Sequence, residues 1–399
     1  MLYYLYALKQ AGKEENFNVL TNKNKTTKNQ SPTAMAWRKV KQNRLAVFGI
    51  FTILTFLLIA ILGPLVRPDS SPKANQQYLE LARKNPGFKQ LMLLMPDQRI
   101  TIEQNFFEKW LFGVQGQYKS IPIAEYEINN SSITIERYAG EGVEGERETF
   151  SLEQWSKIVG GFSEKKHLKQ STFLLGTDRY GRDLLSRLMA GTWISFSVGL
   201  IAIVISLFIG ISLGSIAAYY RSWIDDLIVW LINVVWSVPT LLLVIAITLA
   251  LGKGFWQVFV AVGLTMWVEV ARLVRGQVLS VREMEYVEAA RALGFKDFRI
   301  MLKHILPNIM GPLIVVSAAN FAAAILVEAG LSFLGLGAQP PQATWGKMIS
   351  EHKGYVITGD AYLAIFPGIA ICLLVLSFVF LGNGLRDAFD TKGVKGVDL

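Results

Sequence analysis

The chain has 399 residues, of which 52% are hydrophobic and 18% are charged, whereas a soluble domain carries about 25% charged residues. Its net charge of +9 is concentrated in residues 1–44, which hold nine Lys and Arg against two acids. This excess precedes a long apolar run, so it indicates membrane topology and argues against a nucleic-acid partner. One cysteine and three scattered histidines predict no disulfide framework and no metal site. The long apolar runs exclude a purely soluble protein.

Six apolar segments are long enough to cross a bilayer, for which a helix needs about 20 residues. The predicted spans are Leu45–Val66, Trp193–Ala218, Leu227–Leu251, Phe255–Leu273, Ile309–Leu336 and Ala361–Leu381. Gly210 and Gly214 form a G-x-x-x-G face that favours close helix packing. Pro239 is expected to kink the third span because it removes one backbone hydrogen bond.

The basic segment 1–44 is expected to be a cytoplasmic tail that ends in an interfacial helix on the lipid bilayer. Six spans then return the C-terminal tail, residues 386–399, to the cytoplasm. The predicted inner loop 272–308 is consistent with this topology, since it has seven basic residues and four acids.

Residues 67–170 form a polar insert between the first two spans, with sixteen charges of each sign in residues 67–185. Alternating residues at 132–138 and 147–152 predict a β-hairpin. Leu79–Lys84 and Glu153–Val159 have helical character. The sequence therefore predicts a small inserted α+β extracytoplasmic domain in an otherwise all-α polytopic membrane protein.

The loop 272–308 is the most informative segment. A short helix is predicted over Val281–Leu293, with Glu288 in i+3 reach of Arg291 and with Gly294 as its left-handed stop. Residues on one side of this helix are expected to be Tyr286, Ala289, Ala290 and Leu293. Pro307 suits the first turn of the next span. From the residues alone, the loop is either a connecting hairpin or a docking surface for a soluble partner.

This loop resembles the E-A-A-x-x-x-G…I-x-L-P segment of ABC importer permeases. The matching residues are Glu288, Ala289, Ala290, Gly294, Leu306 and Pro307, while His304 replaces the usual Ile. The resemblance implies a coupling helix that sits in a cleft of an ATPase subunit. Arg291 and Leu293 belong to the same expected ATPase-coupling set.

Three further stretches resemble the C-type permease subunit of dipeptide, oligopeptide and nickel importers. They are Leu175–Asp183, the run Leu331–Pro341 with Thr344–Gly346, and Leu381–Asp390. The resemblance covers residues 35–66 and 171–392 and leaves out the insert. It implies a permease domain over residues 171–385 with the six-helix fold of ABC importer permeases.

Charged residues before the second span, at the predicted outer mouth, have two possible roles. Asp178, Arg179, Arg182 and Asp183 either cap the span and pair internally, or contact a binding protein or peptide.

Polar residues inside the spans are candidates for a substrate path. They are Glu328, Asn320, Asn233 and Ser237. Glu328 either attracts the α-ammonium of a peptide or is a hydrogen-bonded structural acid. Glu269 is expected to pair with Arg272 and Arg275.

The P-loop, H-E-x-x-H and G-x-S-x-G motifs are missing, so no catalytic residue is predicted and the chain is not expected to be an enzyme. The resemblance implies import of peptides by alternating access across a bacterial cytoplasmic membrane. The implied partners are a homologous B-type permease, two ATPase subunits that hold ATP and Mg²⁺, and an extracytoplasmic peptide-binding protein. This chain itself needs no cofactor. The alternatives are import of nickel or another small solute, and a self-sufficient secondary transporter.

Overall fold

The computed structural model describes residues 32–96, 105, 108–110, 113, 118–252 and 254–389. Its helices are α1 (Pro32–Gln42), α2 (Arg44–Val66), α3 (Glu153–Val159), α4 (Glu164–His167), α5 (Leu184–Tyr220), α6 (Ser222–Ser237), α7 (Thr240–Leu251), α8 (Phe255–Arg282), α9 (Glu285–Ala292), α10 (Asp297–Ile300), α11 (Met310–Phe333), α12 (Trp345–His352) and α13 (Tyr362–Phe389). Its strands are β1 (Phe88–Pro96), β2 (Tyr118–Ile128), β3 (Ser132–Arg137), β4 (Arg147–Ser151) and β5 (Leu168–Phe173). Of the expected tails, residues 1–31 and 390–399 lie outside the described residues. Residues 32–42 form α1, which packs against the end of α13, and residues 386–389 belong to α13.

Five helical segments of the described chain are long and apolar enough to span a membrane, and a bent pair makes a sixth. The five are α2, α5, α8, the segment Asp297–Phe333 that includes α11, and α13. The pair is α6 with α7, bent by 93°. The prediction of six spans is confirmed, with the third span broken in the middle.

The break in the third span lies at Val238 and Pro239. Val238 has an extended backbone, with φ −92° and ψ 128°, as expected for a residue whose α conformation is blocked by the following proline. The predicted kink is therefore a complete interruption, and α7 starts a new helix at Thr240.

The second span is longer than predicted, since α5 begins at Leu184 and ends at Tyr220. Its start is fixed by Asp183, whose carboxylate accepts a hydrogen bond from the Ser186 amide at 2.8 Å. An Asp in this position satisfies an amide that the helix itself leaves free.

Glycines allow the backbones of α5 and α8 to pack in direct contact. A Cβ on Gly210 would lie 2.5 Å from the Val270 Cβ, and one on Gly214 would lie 2.5 Å from the Ala271 carbonyl oxygen. Both distances are shorter than any real contact, so only glycine fits. The predicted G-x-x-x-G face thus packs against α8, as small-residue faces do in membranes.

The insert contains an antiparallel five-stranded sheet in the order β4-β3-β2-β1-β5. The predicted hairpin is confirmed as β3 and β4, paired from Ser132 opposite Ser151, and α3 has the predicted bounds. Of Leu79–Lys84, only Leu79–Leu81 forms a helical turn, of the 3-10 type. The domain boundary expected at residue 170 lies within β5. Strands β1, β2 and β5 were not predicted.

The sheet packs its core under α3, where the Trp155 indole is buried and donates to the Leu94 carbonyl at 3.0 Å. The insert is tied to the spans by Thr177, whose hydroxyl accepts from the Lys84 amide at 2.8 Å and donates to the Leu81 carbonyl. We name this side of the molecule the sheet end. The opposite side, which carries α9, is the loop end.

Gly214→Ala should destabilise the protein by about 1–3 kcal/mol, because the added methyl group collides with the backbone of Ala271. Gly276→Ala is the matched control, since a Cβ there meets nothing within 4 Å. Thermal unfolding of the two purified variants measures the difference. Equal melting temperatures for both variants would show that the close approach of α5 and α8 is not a constraint.

Candidate functional site

Helix α9 lies at the loop end, between α8 and the segment that leads into α11. It is shorter than the predicted helix, because α8 ends at Arg282 and a turn at Glu283 and Met284 separates the two helices. Gly294 has φ +77°, and the Phe295 amide donates to the Ala290 carbonyl at 3.2 Å. The predicted left-handed stop at Gly294 is therefore confirmed.

One face of α9 is buried and the other is open. Val287 and Ala290 are buried in an apolar cluster that includes Val278 of α8, Ile300 and Ile309. The prediction that Ala290 shares a side with Tyr286, Ala289 and Leu293 is wrong, since Ala290 points into this cluster and the other three are exposed. Burial of Val287 and Ala290 fixes the helix to the spans by its inner face.

The C-terminal end of α5 holds the loop in place through Tyr219. The Tyr219 hydroxyl donates to Asp297, and the Arg282 guanidinium donates to the Ala218 carbonyl at 3.3 Å and to the Tyr219 carbonyl. Arg282 thus places a cation where a helix leaves its last carbonyls unpaired. No local sequence pattern indicated this role for Tyr219, because its partners are far away along the chain.

Arg291 turns toward Tyr219 and not toward Glu288. Its guanidinium lies 5.8 Å from the centre of the Tyr219 ring, and a hydrogen bond with the Tyr219 hydroxyl raises the pKa of Arg291. Glu288 is exposed and has no ion pair within the described residues, so the expected contact between Glu288 and Arg291 is absent there. The Glu288 carboxylate is left free on the open face.

Leu306 and Pro307 lie in a 3-10 turn, Leu306–Ile309, that follows a π-helical turn over Met301–Ile305. Leu306 packs against the apolar cluster under α9, and Pro307 is exposed. Proline fits here because the regular i to i−4 hydrogen bonding is already interrupted. Asn308 connects this turn to α9, since its amide donates to the Tyr286 hydroxyl at 3.0 Å.

Large apolar side chains are exposed around α9, and we name this set the loop-end surface. Leu293 and Phe298 are 74% and 76% exposed. The other members are Met284, Tyr286 and Leu302. An apolar patch with a charged border, here Glu285 and Glu288, is typical of a surface that binds another protein.

The four charged residues predicted at the outer mouth lie at the sheet end, and three of them are buried. Arg182 donates to Asp178 at 2.6 Å, and both side chains are at most 5% exposed. Arg187, which the sequence did not single out, is 3.7 Å from the same carboxylate. Burial raises the pKa of the Asp183 carboxyl, and the hydrogen bonds from Ser186 oppose this shift.

These contacts favour the role of capping and internal pairing for Asp178, Arg182 and Asp183. A buried carboxylate between two guanidinium groups has no surface to offer a second protein. Arg179 is half-buried and lies 4.5 Å over the Tyr180 ring. Of the four, it alone stays a candidate for contact with a binding protein.

The structure separates the four residues predicted to line a substrate path. Glu328 is buried and accepts a hydrogen bond from the Ser332 hydroxyl at 2.6 Å. This contact favours the second of its two possible roles, that of a hydrogen-bonded structural acid. Asn233 and Ser237 are exposed on α6. Asn320 lines a cavity at the break between α6 and α7, together with Glu269.

The expected pairing of Glu269 with Arg272 and Arg275 is wrong. Arg275 makes a two-pronged contact with Asp225, at 2.6 and 2.7 Å. Arg272 lies 3.7 Å over the Trp236 ring. Sequence spacing favoured an ion pair between Glu269 and the nearby arginines of α8. In the structure, the guanidinium groups of both arginines contact residues of α6, which packs beside α8.

Asp178→Ala should destabilise the protein by about 3–5 kcal/mol, because it removes the carboxylate shared by two buried guanidinium groups and leaves only Glu351, 3.4 Å from Arg182, to balance them. The control is Glu153→Ala, which removes an exposed partner of Lys157 and should cost at most about 1 kcal/mol. Thermal unfolding of both variants checks this expectation. A small effect of Asp178→Ala would mean that the cluster does not hold the sheet end together.

Comparison with known proteins agrees with this architecture. Residues 210–393 match the family described as "Binding-protein-dependent transport system inner membrane component", and residues 31–86 match the "N-terminal TM domain of oligopeptide transport permease C".

Three relatives are similar over most of their own length. The dipeptide transport system permease protein DppC of Alkalihalophilus pseudofirmus is 33% identical over 362 residues, which is 91% of this chain and 90% of that protein. The oligopeptide transport system permease protein OppC of Bacillus subtilis is 40% identical over 54% of this chain and 71% of that protein. The glutathione transport system permease protein GsiD of Pectobacterium atrosepticum is 41% identical over 56% of this chain and 73% of that protein. The chain therefore belongs to the inner membrane components of binding-protein-dependent transport systems, in the group of peptide-type C permeases.

Proposed function

We propose that this chain is the transmembrane permease subunit of an ATP-driven importer that carries peptides across a bacterial cytoplasmic membrane. The observation that carries the proposal is the loop-end surface. It lies on a loop fixed to α5, α8 and α11, and it leaves large apolar side chains exposed, above all Leu293 and Phe298.

The partner at the loop-end surface is an ATPase subunit. Leu293 and Phe298 lie in the loop between the spans α8 and α11, and not within an apolar run. Their exposure is costly in water and favours a protein that covers them. The sequence has no P-loop, so ATP and Mg²⁺ belong to that partner. Glu288 and the other residues of the coupling set either contact the ATPase subunit or hold the loop in place.

The connectivity supports transmission of movement from this surface. The loop joins α8 to α11, and both helices line the cavity at the break of the third span. A rigid displacement of α9, held by Val287, Ala290 and Tyr219, moves both walls of the cavity together. This arrangement suits alternating access, in which packed helices shift between two arrangements.

The same reasoning sets the orientation. The loop end faces the cytoplasm, because the loop carries an excess of basic residues and meets an ATPase. The sheet end then faces outward, where a peptide-binding protein delivers its cargo. Asn233 and Ser237 are polar and exposed on a span, so they face water or the homologous B-type permease and not lipid.

Peptides are the proposed cargo because the relatives are named for dipeptide, oligopeptide and glutathione transport. A small solute such as nickel is the alternative within the same machinery.

A self-sufficient secondary transporter is the second candidate, and the broken third span favours it, since such transporters bind substrates at interrupted helices. In those folds the interruptions occur in corresponding positions of two repeats. The described part of this chain has a single bent pair.

Leu293→Asp tests the proposal, because it places a charge on the loop-end surface without disturbing the buried face of α9. We expect the variant to enter the membrane normally, to lose its copurifying ATPase subunits and to reduce peptide uptake at least tenfold. Leu79→Asp is the control, since Leu79 is similarly exposed at the sheet end. Affinity purification from mild detergent and uptake of radiolabelled peptides measure both effects.

Two results would contradict the proposal. Retention of the ATPase subunits by Leu293→Asp would remove the docking role from the loop-end surface. Peptide uptake by the chain in vesicles without any ATPase subunit would favour the secondary transporter.

A further inference from the structure

The cavity at the break of the third span has a volume of about 180 Å³. The end of α6, the start of α7, α8 and α11 surround it, and its polar members are Thr240, Thr265, Glu269 and Asn320. Its volume is similar to an engineered cavity of roughly 150 Å³ that holds benzene. The space therefore admits about one amino-acid residue and not a whole peptide.

Glu269 places a carboxylate at this cavity that forms no ion pair with the described residues. Its side chain is exposed, and it has no ion pair within the described residues, because Asp225 holds Arg275 and Trp236 lies under Arg272. Glu269 lies near the middle of α8. A carboxylate at this depth is too costly to face lipid, so it faces a water-filled path.

Asn320 gives the same cavity a donor without an acceptor. It is 3% exposed, and its Nδ2 has no hydrogen-bond partner within the described chain. An unsatisfied buried amide is destabilising, so the Asn320 amide needs an acceptor that the described chain does not supply.

The start of α7 adds further donors. The Leu243 amide is bonded to the Pro239 carbonyl at 3.1 Å, whereas the amides before it belong to the first turn, which has no intrahelical acceptors. Of the residues with such free amides, Thr240 lines the cavity. The cavity thus combines the Glu269 carboxylate with the Asn320 side-chain amide and the Thr240 backbone amide.

We propose that this cavity binds the amino-terminal residue of a peptide in transit. The Glu269 carboxylate receives the α-ammonium group, and the Asn320 side-chain amide and the Thr240 backbone amide donate to the carbonyl oxygen of the same residue. The amino-terminal residue of a peptide carries an ammonium group and a carbonyl oxygen close together. A carboxylate acceptor beside N–H donors can therefore bind both groups. The proposal rests on the proposed function as a peptide importer. It assigns to Glu269 the role that the sequence suggested for Glu328.

The first experiment measures uptake of radiolabelled alanyl-alanine and tetra-alanine by cells that express the complete transporter. Glu269→Gln should lower uptake about tenfold, because hydrogen bonds to a charged group are among the stronger ones. Glu269→Asp, which keeps the charge, should restore part of the uptake. Asp226→Asn is the matched control, since it removes a carboxylate of α6 that does not line the cavity, and it should transport like the wild type.

The second experiment detects the peptide in the cavity. A photoreactive benzoylphenylalanine at Val327, which lines the cavity, should capture the radiolabelled peptide during transport, and Glu269→Gln should reduce that capture about tenfold. The same group at Phe208, which is 76% exposed on α5 and outside the cavity, should capture none.

The outcomes separate this proposal from the proposed function. Normal uptake by Glu269→Gln, equal losses in Glu269→Gln and Asp226→Asn, or transport without capture at Val327 would each overturn the binding site while the importer stands. A wild-type complex that takes up neither peptide would contradict the importer itself. Amounts of copurifying subunits, measured for every variant, show whether a loss of uptake is a loss of assembly, and a loss of assembly in Glu269→Gln would assign the residue a structural role and overturn the site.

Discussion

The close packing of α5 on α8 is the constraint on which the other parts of the structure depend. Gly210 and Gly214 remove the side chains that would separate the two backbones, and Gly263 does the same from α8, where a Cβ would lie 2.7 Å from Ile205. In a bilayer, helices associate mainly by such contacts, because lipid supplies little hydrophobic drive between them. The position of α8 then fixes the cavity at its middle and the coupling loop at its end.

Different interactions stabilise the two ends of the molecule: buried ion pairs at the sheet end and apolar packing at the loop end. At the sheet end, Asp178 is enclosed by Arg182 and Arg187, and breaking a buried ion cluster of this kind is costly because its charges cannot be solvated in place. At the loop end, the inner face of α9 is apolar and its outer face is open. A sheet end held by buried charges and a loop end with an exposed apolar surface are consistent with the proposal that the subunit receives movement at its loop end.

Charge pairing between α6 and α8 explains why Glu269 is free. Arg275 takes Asp225, which lies near the loop end of α6, and Arg272 is held against Trp236. Arg275 is thus held near the loop end, and Arg272 is held on the Trp236 ring beside the cavity without forming an ion pair with Glu269. The bend at Pro239 opens the space beside Glu269, so the broken span and the free carboxylate form one feature of the fold.

Much of the fold could be read from local patterns. The length of the apolar runs predicted the spans, and the alternation of apolar and polar residues predicted the hairpin β3–β4. Gly294 predicted the end of helix α9. Strands β1, β2 and β5 were missed because their residues do not alternate clearly. In β1 the run Leu91–Met95 is apolar on both faces, and its neighbours β2 and β5 come from distant parts of the chain.

The candidate sites divide in the same way. The residues around Glu288 and Gly294 that are proposed to couple to an ATPase form one continuous segment, so the proposal could be made from their spacing and their resemblance to ABC importer permeases. The partners of charged residues were not, because Glu269 has Arg272 and Arg275 nearby in sequence but loses them to α6 in space. Glu328 and Asn320 both lie on α11, yet Glu328 accepts a hydrogen bond from Ser332 through one of its two oxygens, whereas Asn320 lines the cavity. The sequence by itself determined the spans, the family and the coupling segment, since these are properties of contiguous residues. Which polar groups are paired and which are free was decided only by the tertiary structure, because pairing depends on how separate helices pack.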